Sequence, residues 1–113
     1  MKSIKPAILI YTSSRNEKVL KELCAGIEEE GVPFEVNMFK EGFKAEELSR
    51  KAAESSIVEA GIGVDRDKAC FYCTILKTKD PLMKADVKAD KILRTLGSNA
   101  ARYIKKIPFK LNE

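Results

Sequence analysis

The sequence predicts an α/β fold of three layers, α/β/α, built on a mixed, mostly parallel sheet of four or five strands in which the fourth is antiparallel. Three observations carry this. Ala7-Ile8-Leu9-Ile10-Tyr11 is a continuous apolar run, as expected of a strand buried on both faces of a parallel sheet. A helical stretch and a second strand follow within about 30 residues, the length of a βαβ unit with a right-handed crossover. Only the polar turn Asp65-Arg66-Asp67-Lys68 separates the third strand from the fourth, which suits a hairpin and not a parallel crossover.

Along the chain, Ser14-x-x-Glu17 reads as a capping box, so the first helix is expected from about Arg15 to Glu30. Val19, Leu20, Leu23, Cys24 and Ile27 recur along it at three- and four-residue steps, the period of an apolar helix face. Gly31 can adopt the left-handed conformation that closes a helix, and Pro33 cannot continue one. Phe34-Glu35-Val36-Asn37-Met38 alternates apolar with polar and fits a strand near a sheet edge. Glu41-Gly42 breaks the pattern, and Ala45 to Ser55 forms a short helix whose small residues suit close packing on the sheet. The third strand lies within Ile57 to Val64 and the fourth runs from Ala69 to Leu76. Thr78 to Pro81 is a loop, and Leu82 to Val87 fits neither period.

The last long helix carries Ile92, Leu93, Leu96, Ala100, Ala101 and Ile104 in one stripe, with Lys88, Lys91, Thr95, Arg102 and Lys105 or Lys106 mostly off it. Gly97 sits inside this helix, where glycine costs about 1 kcal/mol relative to alanine. Either the helix kinks there or the glycine admits a neighbouring backbone. Pro108 ends the helix. With no repeat or linker, residues 1–113 read as one domain.

Composition removes several function classes. No apolar run approaches the roughly 20 residues of a membrane helix, and the segment before Tyr11 lacks a signal-peptide layout. The three cysteines give no disulfide framework and point to a reducing cytoplasm. Histidine is absent, which excludes imidazole as general base, zinc ligand or axial cobalt ligand. No GxxxxGK[ST] loop occurs, and Gly61-Ile62-Gly63 lacks the third glycine and helix of a dinucleotide fingerprint. Cys70 and Cys73, three apart on a strand, point to opposite faces and away from any helix N-terminus, so they read as buried structural thiols. Residues 1–60 carry nine basic and eleven acidic side chains, whereas residues 61–113 carry twelve and six. The basic half lacks the aromatic-interleaved strand, finger or helix-turn-helix that nucleic-acid binding would bring.

Glu28-Glu29-Glu30 stands at the end of the first helix, where a carboxylate opposes the helix dipole at a cost of roughly 0.3–1 kcal/mol. Two readings remain open: a solvated turn that tolerates the penalty, or a cluster neutralised by a cation or a basic partner. Adjacent helical residues point about 100° apart, so the three cannot converge on one ion. One of them, with oxygens from elsewhere, could ligate Mg²⁺ or Ca²⁺. Arg94, Asn99 and Arg102 form either a face for an anion or partner or an ordinary solvated surface. Nothing assembles a nucleophile, base and oxyanion site. The residues favour an interaction domain over an enzyme.

Several segments in order resemble one family. Gly26-Ile-Glu-Glu-Glu-Gly-Val-Pro-Phe34, Ala60-Gly-Ile-Gly-Val-Asp65, Pro81-Leu82, Arg94-x-x-Gly-x-Asn-Ala-Ala-Arg102 and Lys105-Lys-Ile-Pro-Phe109 together resemble the small subunit of diol/glycerol dehydratase reactivase. The resemblance implies a non-catalytic subunit of a chaperone-like complex with a large ATPase subunit, typically two of each, with ATP or ADP bound in the large subunit. It implies that the complex releases damaged cobalamin from an inactivated adenosylcobalamin-dependent dehydratase by exchanging places with the medium subunit. It implies no cofactor on this chain alone, no nucleic acid and no membrane, in the cytoplasm or a bacterial microcompartment. By position, Glu29 is implied as the residue completing an Mg²⁺ or Ca²⁺ site at the large-subunit interface, with Glu28 and Glu30 as fallbacks. Arg94, Asn99 and Arg102 become candidate partner contacts. No contact carries over to the lysine-rich segment 77–91. The alternatives are a cobalamin-binding domain like the dehydratase medium subunit and a small basic nucleic-acid-binding domain. In the isolated chain the acidic turn is expected to be exposed and idle.

Overall fold

The computed structural model describes residues 6–75, 77 and 80–111. Its elements are β1 (Ile8–Thr12), α1 (Glu17–Glu29), β2 (Phe34–Met38), α2 (Ala45–Ser55), β3 (Ala60–Val64), β4 (Lys68–Cys73), β5 (Met83–Asp86) and α3 (Asp90–Lys105). The five strands lie in the order β2-β1-β3-β4-β5. β1 pairs in parallel with β2, Ile8 opposite Phe34, and with β3, Leu9 opposite Gly61. The β3–β4 and β4–β5 ladders are antiparallel. Four strands therefore share one direction and β4 opposes them, but only half of the ladders are parallel.

Alternation along the strands assigns the two faces. Ile8, Ile10, Ile62, Val64 and Phe71 pack with Val19, Leu23 and Ile27 of α1 and Leu93, Leu96 and Ala100 of α3 in one buried cluster. The opposite face receives α2 through Leu48, Ala52 and Ala53, all fully buried. Its closeness depends on Gly61 and Gly63: a Cβ on either would stand 2.3 Å or 2.2 Å from main-chain atoms of Ala53 or Ala45.

The α1–α3 contact settles the glycine in the last helix. A Cβ on Gly97 would lie 2.2 Å from the Leu23 carbonyl oxygen, and one on Gly26 would lie 2.1 Å from that of Arg94. Close approach, not a kink, explains Gly97, and α3 is one continuous helix from Asp90 to Lys105.

Several boundaries differ from the sequence expectation. The cap of α1 is Asn16, whose Oδ1 accepts from the Val19 N–H at 3.3 Å, while Ser14 Oγ accepts from the Asn16 N–H. Asparagine is as good a cap as serine, so the helix starts at Glu17 and the Ser14 capping box is not formed. At the far end of α3, Lys106 takes a left-handed conformation (φ 60°), and its N–H and that of Ile107 bond the carbonyls of Tyr103 and Arg102. This turn, two residues ahead of Pro108, stops the helix. β4 ends at Cys73; Leu76, Thr78 and Lys79 lie outside the described residues. The unassigned stretch 82–87 supplies β5, a four-residue edge strand whose Lys84 and Asp86 interrupt its apolar pattern.

Candidate functional site

The glutamates at the end of α1 meet α3 and the segment that follows it. Glu30, at the helix C-cap, has a side chain only 8% exposed. Its Oε2 accepts from Arg102 Nε at 2.9 Å and from Ser98 Oγ at 3.2 Å, and its Oε1 accepts from Lys105 Nζ at 3.0 Å. Lys105 Nζ also donates to the Glu30 main-chain carbonyl at 2.9 Å. Hydrogen bonds from Lys105 and Arg102 hold the carboxyl down to about 2, against the opposing pull of burial. The expectation of an idle acidic turn is corrected here. α1 has no basic residue in its last turn, and α3 provides the cations that its C-terminus would otherwise lack.

Glu29 is different. Its side chain is 42% exposed, with Oε2 3.7 Å from Arg94 Nη1 and Oε1 3.6 Å from Lys110 Nζ. Arg94 is shared with Glu22, whose Oε1 lies 3.2 Å from its Nε. Glu28 is exposed on the surface of α1. Of the three carboxylates, Glu29 is the one that is both accessible and embedded in a charged cluster.

Arg94, Asn99 and Arg102 all reach this corner from α3, but in different roles. Asn99 is 3% exposed and lies under the segment after the helix: its Nδ2 donates to the Lys110 carbonyl at 3.2 Å and its Oδ1 accepts from the Lys110 N–H at 2.6 Å. Arg102 Nη1 donates to the Pro108 carbonyl at 3.0 Å while its Nε holds Glu30. Only Arg94 presents an open surface. The sequence reading missed Lys110, a lone lysine beyond the helix with no periodicity to mark its destination.

No group of three or more metal-binding side chains comes together among the described residues. Glu29 stands instead among cations, with the Lys110 ammonium 3.6 Å from its Oε1.

Two other polar regions lie away from this corner. Asp65 caps the start of α2, accepting from the N–H of Ala45, Asp67 and Lys68 at 2.8–2.9 Å, and ties the β3–β4 turn to that helix. Burial pushes its pKa up, but these donors and the Lys68 ammonium outweigh that and leave it lowered. A crevice of about 470 Å³ at the carboxyl ends of the parallel strands is lined by Ser13, Arg15, Phe39, Lys40 and Arg66, where open α/β sheets commonly bind ligands. The Ser13 hydroxyl there donates to the Phe43 carbonyl and faces no imidazole, the chain having none. Burial raises the Cys70 thiol to about 12 and Cys24 to about 11, so neither offers a thiolate near neutral pH. What the described surface offers is charge pairing.

The family model for the dehydratase medium subunit matches residues 5–110. The chain is 33% identical to the propanediol dehydratase-reactivating factor small subunit of Citrobacter freundii, over 93% of this chain and 90% of that protein. It is 34% identical to the diol dehydratase-reactivating factor small subunit of Klebsiella michiganensis, over 93% and 84%. Among solved structures, a chain of the diol dehydratase-reactivating factor complexed with ADP and Mg²⁺ superposes with a TM-score of 0.87 at 32% identity, covering 95% of this chain and 99% of that one. A chain of a glycerol dehydratase reactivase gives the same TM-score and identity over 95% and 98%.

Proposed function

The chain belongs to the dehydratase medium-subunit family, as a small subunit of the diol/glycerol dehydratase-reactivating factor kind, and from that premise we propose that it works by docking and not by catalysis. It assembles with a large subunit that binds and hydrolyses ATP, two of each, as one domain over residues 1–113. The complex attacks an adenosylcobalamin-dependent diol or glycerol dehydratase that holds a damaged cobalamin. The small subunit takes the place of the dehydratase's medium subunit, the enzyme opens, and the cobalamin leaves. The setting is the cytoplasm or a bacterial microcompartment.

One observation supports this reading: the family model for the dehydratase medium subunit matches residues 5–110 of a chain whose relatives are reactivating-factor small subunits. Two chains of one shape compete for one seat. The nucleotide sits in the large subunit on this reading, and the lack of a GxxxxGK[ST] loop in this sequence supports that. Within the interface, Glu29 completes an Mg²⁺ or Ca²⁺ site held mostly by the large subunit, which uses its exposure and its place beside α3. Arg94 forms the rim, while Asn99 and Arg102 act through the segments they hold.

Native mass spectrometry tests the exchange. Inactivated dehydratase mixed with the chain, the large subunit and ADP should yield a species that contains this chain and lacks the medium subunit. Dehydratase that retains its full complement of medium subunit at every ratio would exclude exchange.

A further inference from the structure

The segment after α3 is held in an unusual way. Lys106 turns the chain out of the helix in a left-handed conformation, and residues 107–111, in neither helix nor strand, return to Asn99. Among the described residues, its main-chain to main-chain bonding stops at the Ile107 N–H. Beyond that point side chains hold it: the two-way pairing of the Asn99 amide with Lys110 and the bond from Arg102 to Pro108. None of its apolar side chains is fully buried: Ile107 and Phe109 are each 38% exposed and Leu111 is 83% exposed. Such a segment belongs to the low-stability end of a structure, where local opening is easy.

The charge at its tip is placed unevenly. Lys110 Nζ stands 3.6 Å from Glu29 and 3.9 Å from Glu30. Glu30 does not need it, having Arg102, Lys105 and Ser98 at 2.9–3.2 Å. Among the described residues, Glu29 has on its other oxygen only Arg94, at 3.7 Å and shared with Glu22. Lys110 is thus the removable counter-charge of the accessible carboxylate.

We propose that residues 107–111 are a releasable strap, and that Lys110 occupies in cis the position at Glu29 that an external cation takes when the large subunit docks. The free subunit keeps the charge of its acidic corner balanced. Docking opens the strap at Asn99, withdraws Lys110 and frees Glu29. This rests on the reading that Glu29 faces the large subunit.

The test is a calorimetric titration of the full chain with the large subunit in Mg²⁺, for the unsubstituted chain, Lys110→Gln, Glu29→Ala and the double variant. Lys110→Gln keeps the main-chain pairing with Asn99 and removes only the competing charge. It should tighten binding by up to about fivefold, the equivalent of one exposed ion pair. The double variant should bind no tighter than Glu29→Ala. Hydrogen exchange of the Lys110 amide should be faster in the complex than in the free chain. If Glu29→Ala weakens binding but Lys110→Gln leaves it unchanged or weaker, or if the amide stays protected in the complex, the strap is overturned and the Glu29 reading stands. If Glu29→Ala binds like the unsubstituted chain, both fall.

Discussion

Glu30 shows how context reverses a local electrostatic argument. Beside a helix C-terminus a carboxylate is unfavourable, yet here it is bonded by Arg102, Lys105 and Ser98. Those bonds lower its pKa from 4.5 to about 2 in the folded chain. A group with a depressed folded pKa contributes stability above its unfolded value and loses it as pH falls toward the folded value. The gap in melting temperature between the unsubstituted chain and Glu30→Gln should therefore be full above pH 5, narrow steadily between 4.5 and about 2, and close below that. Scanning calorimetry across that range checks it, and a constant gap would show that the carboxylate charge is not what Glu30 contributes. The three glutamates were visible in the sequence as an anomaly. Their division into a buried bridge, an accessible partner of Lys110 and a plain surface residue was not. That division depends on α3 lying against α1, a contact between residues far apart in the chain.

At the level of elements, periodicity located most of the structure. β2 and α2 fall at their expected bounds, and the β3–β4 hairpin follows from the short turn between them. The errors have local causes. Asn16 and Ser14 are both competent caps, and sequence alone cannot choose between them. β5 hides because an edge strand of four residues with two charges has too little alternation to register. Gly97 was recognised as a special position, but only the packed structure shows which backbone it admits. The α1–α3 crossing gives a sharp prediction. Gly97→Ala gains about 1 kcal/mol of helix propensity but places a Cβ 2.2 Å from the Leu23 carbonyl oxygen, so the helices must separate. The net effect should be a loss of about 1–3 kcal/mol, as for other overpacked cores, read as a lower urea midpoint. A raised midpoint would mean that the crossing yields without cost.

For the whole molecule, the fold was legible and the function was legible only through resemblance. By composition and motif the sequence favours an interaction domain, with no histidine and no GxxxxGK[ST] loop. No residue pattern by itself names the partner of a docking surface, since complementarity resides in two molecules and the sequence describes one. The family supplies that partner, and the structure supplies an acidic corner whose accessible carboxylate is balanced by Lys110 and Arg94. On the proposed function, this subunit with its large partner empties an inactivated dehydratase. The most direct measurement follows the absorbance of free cyanocobalamin after a cyanocobalamin-inhibited diol or glycerol dehydratase is mixed with both subunits, ATP and Mg²⁺, and then filtered. Release that requires both subunits and ATP is the predicted result. Cobalamin that stays with the dehydratase when both subunits, ATP and Mg²⁺ are present would contradict it.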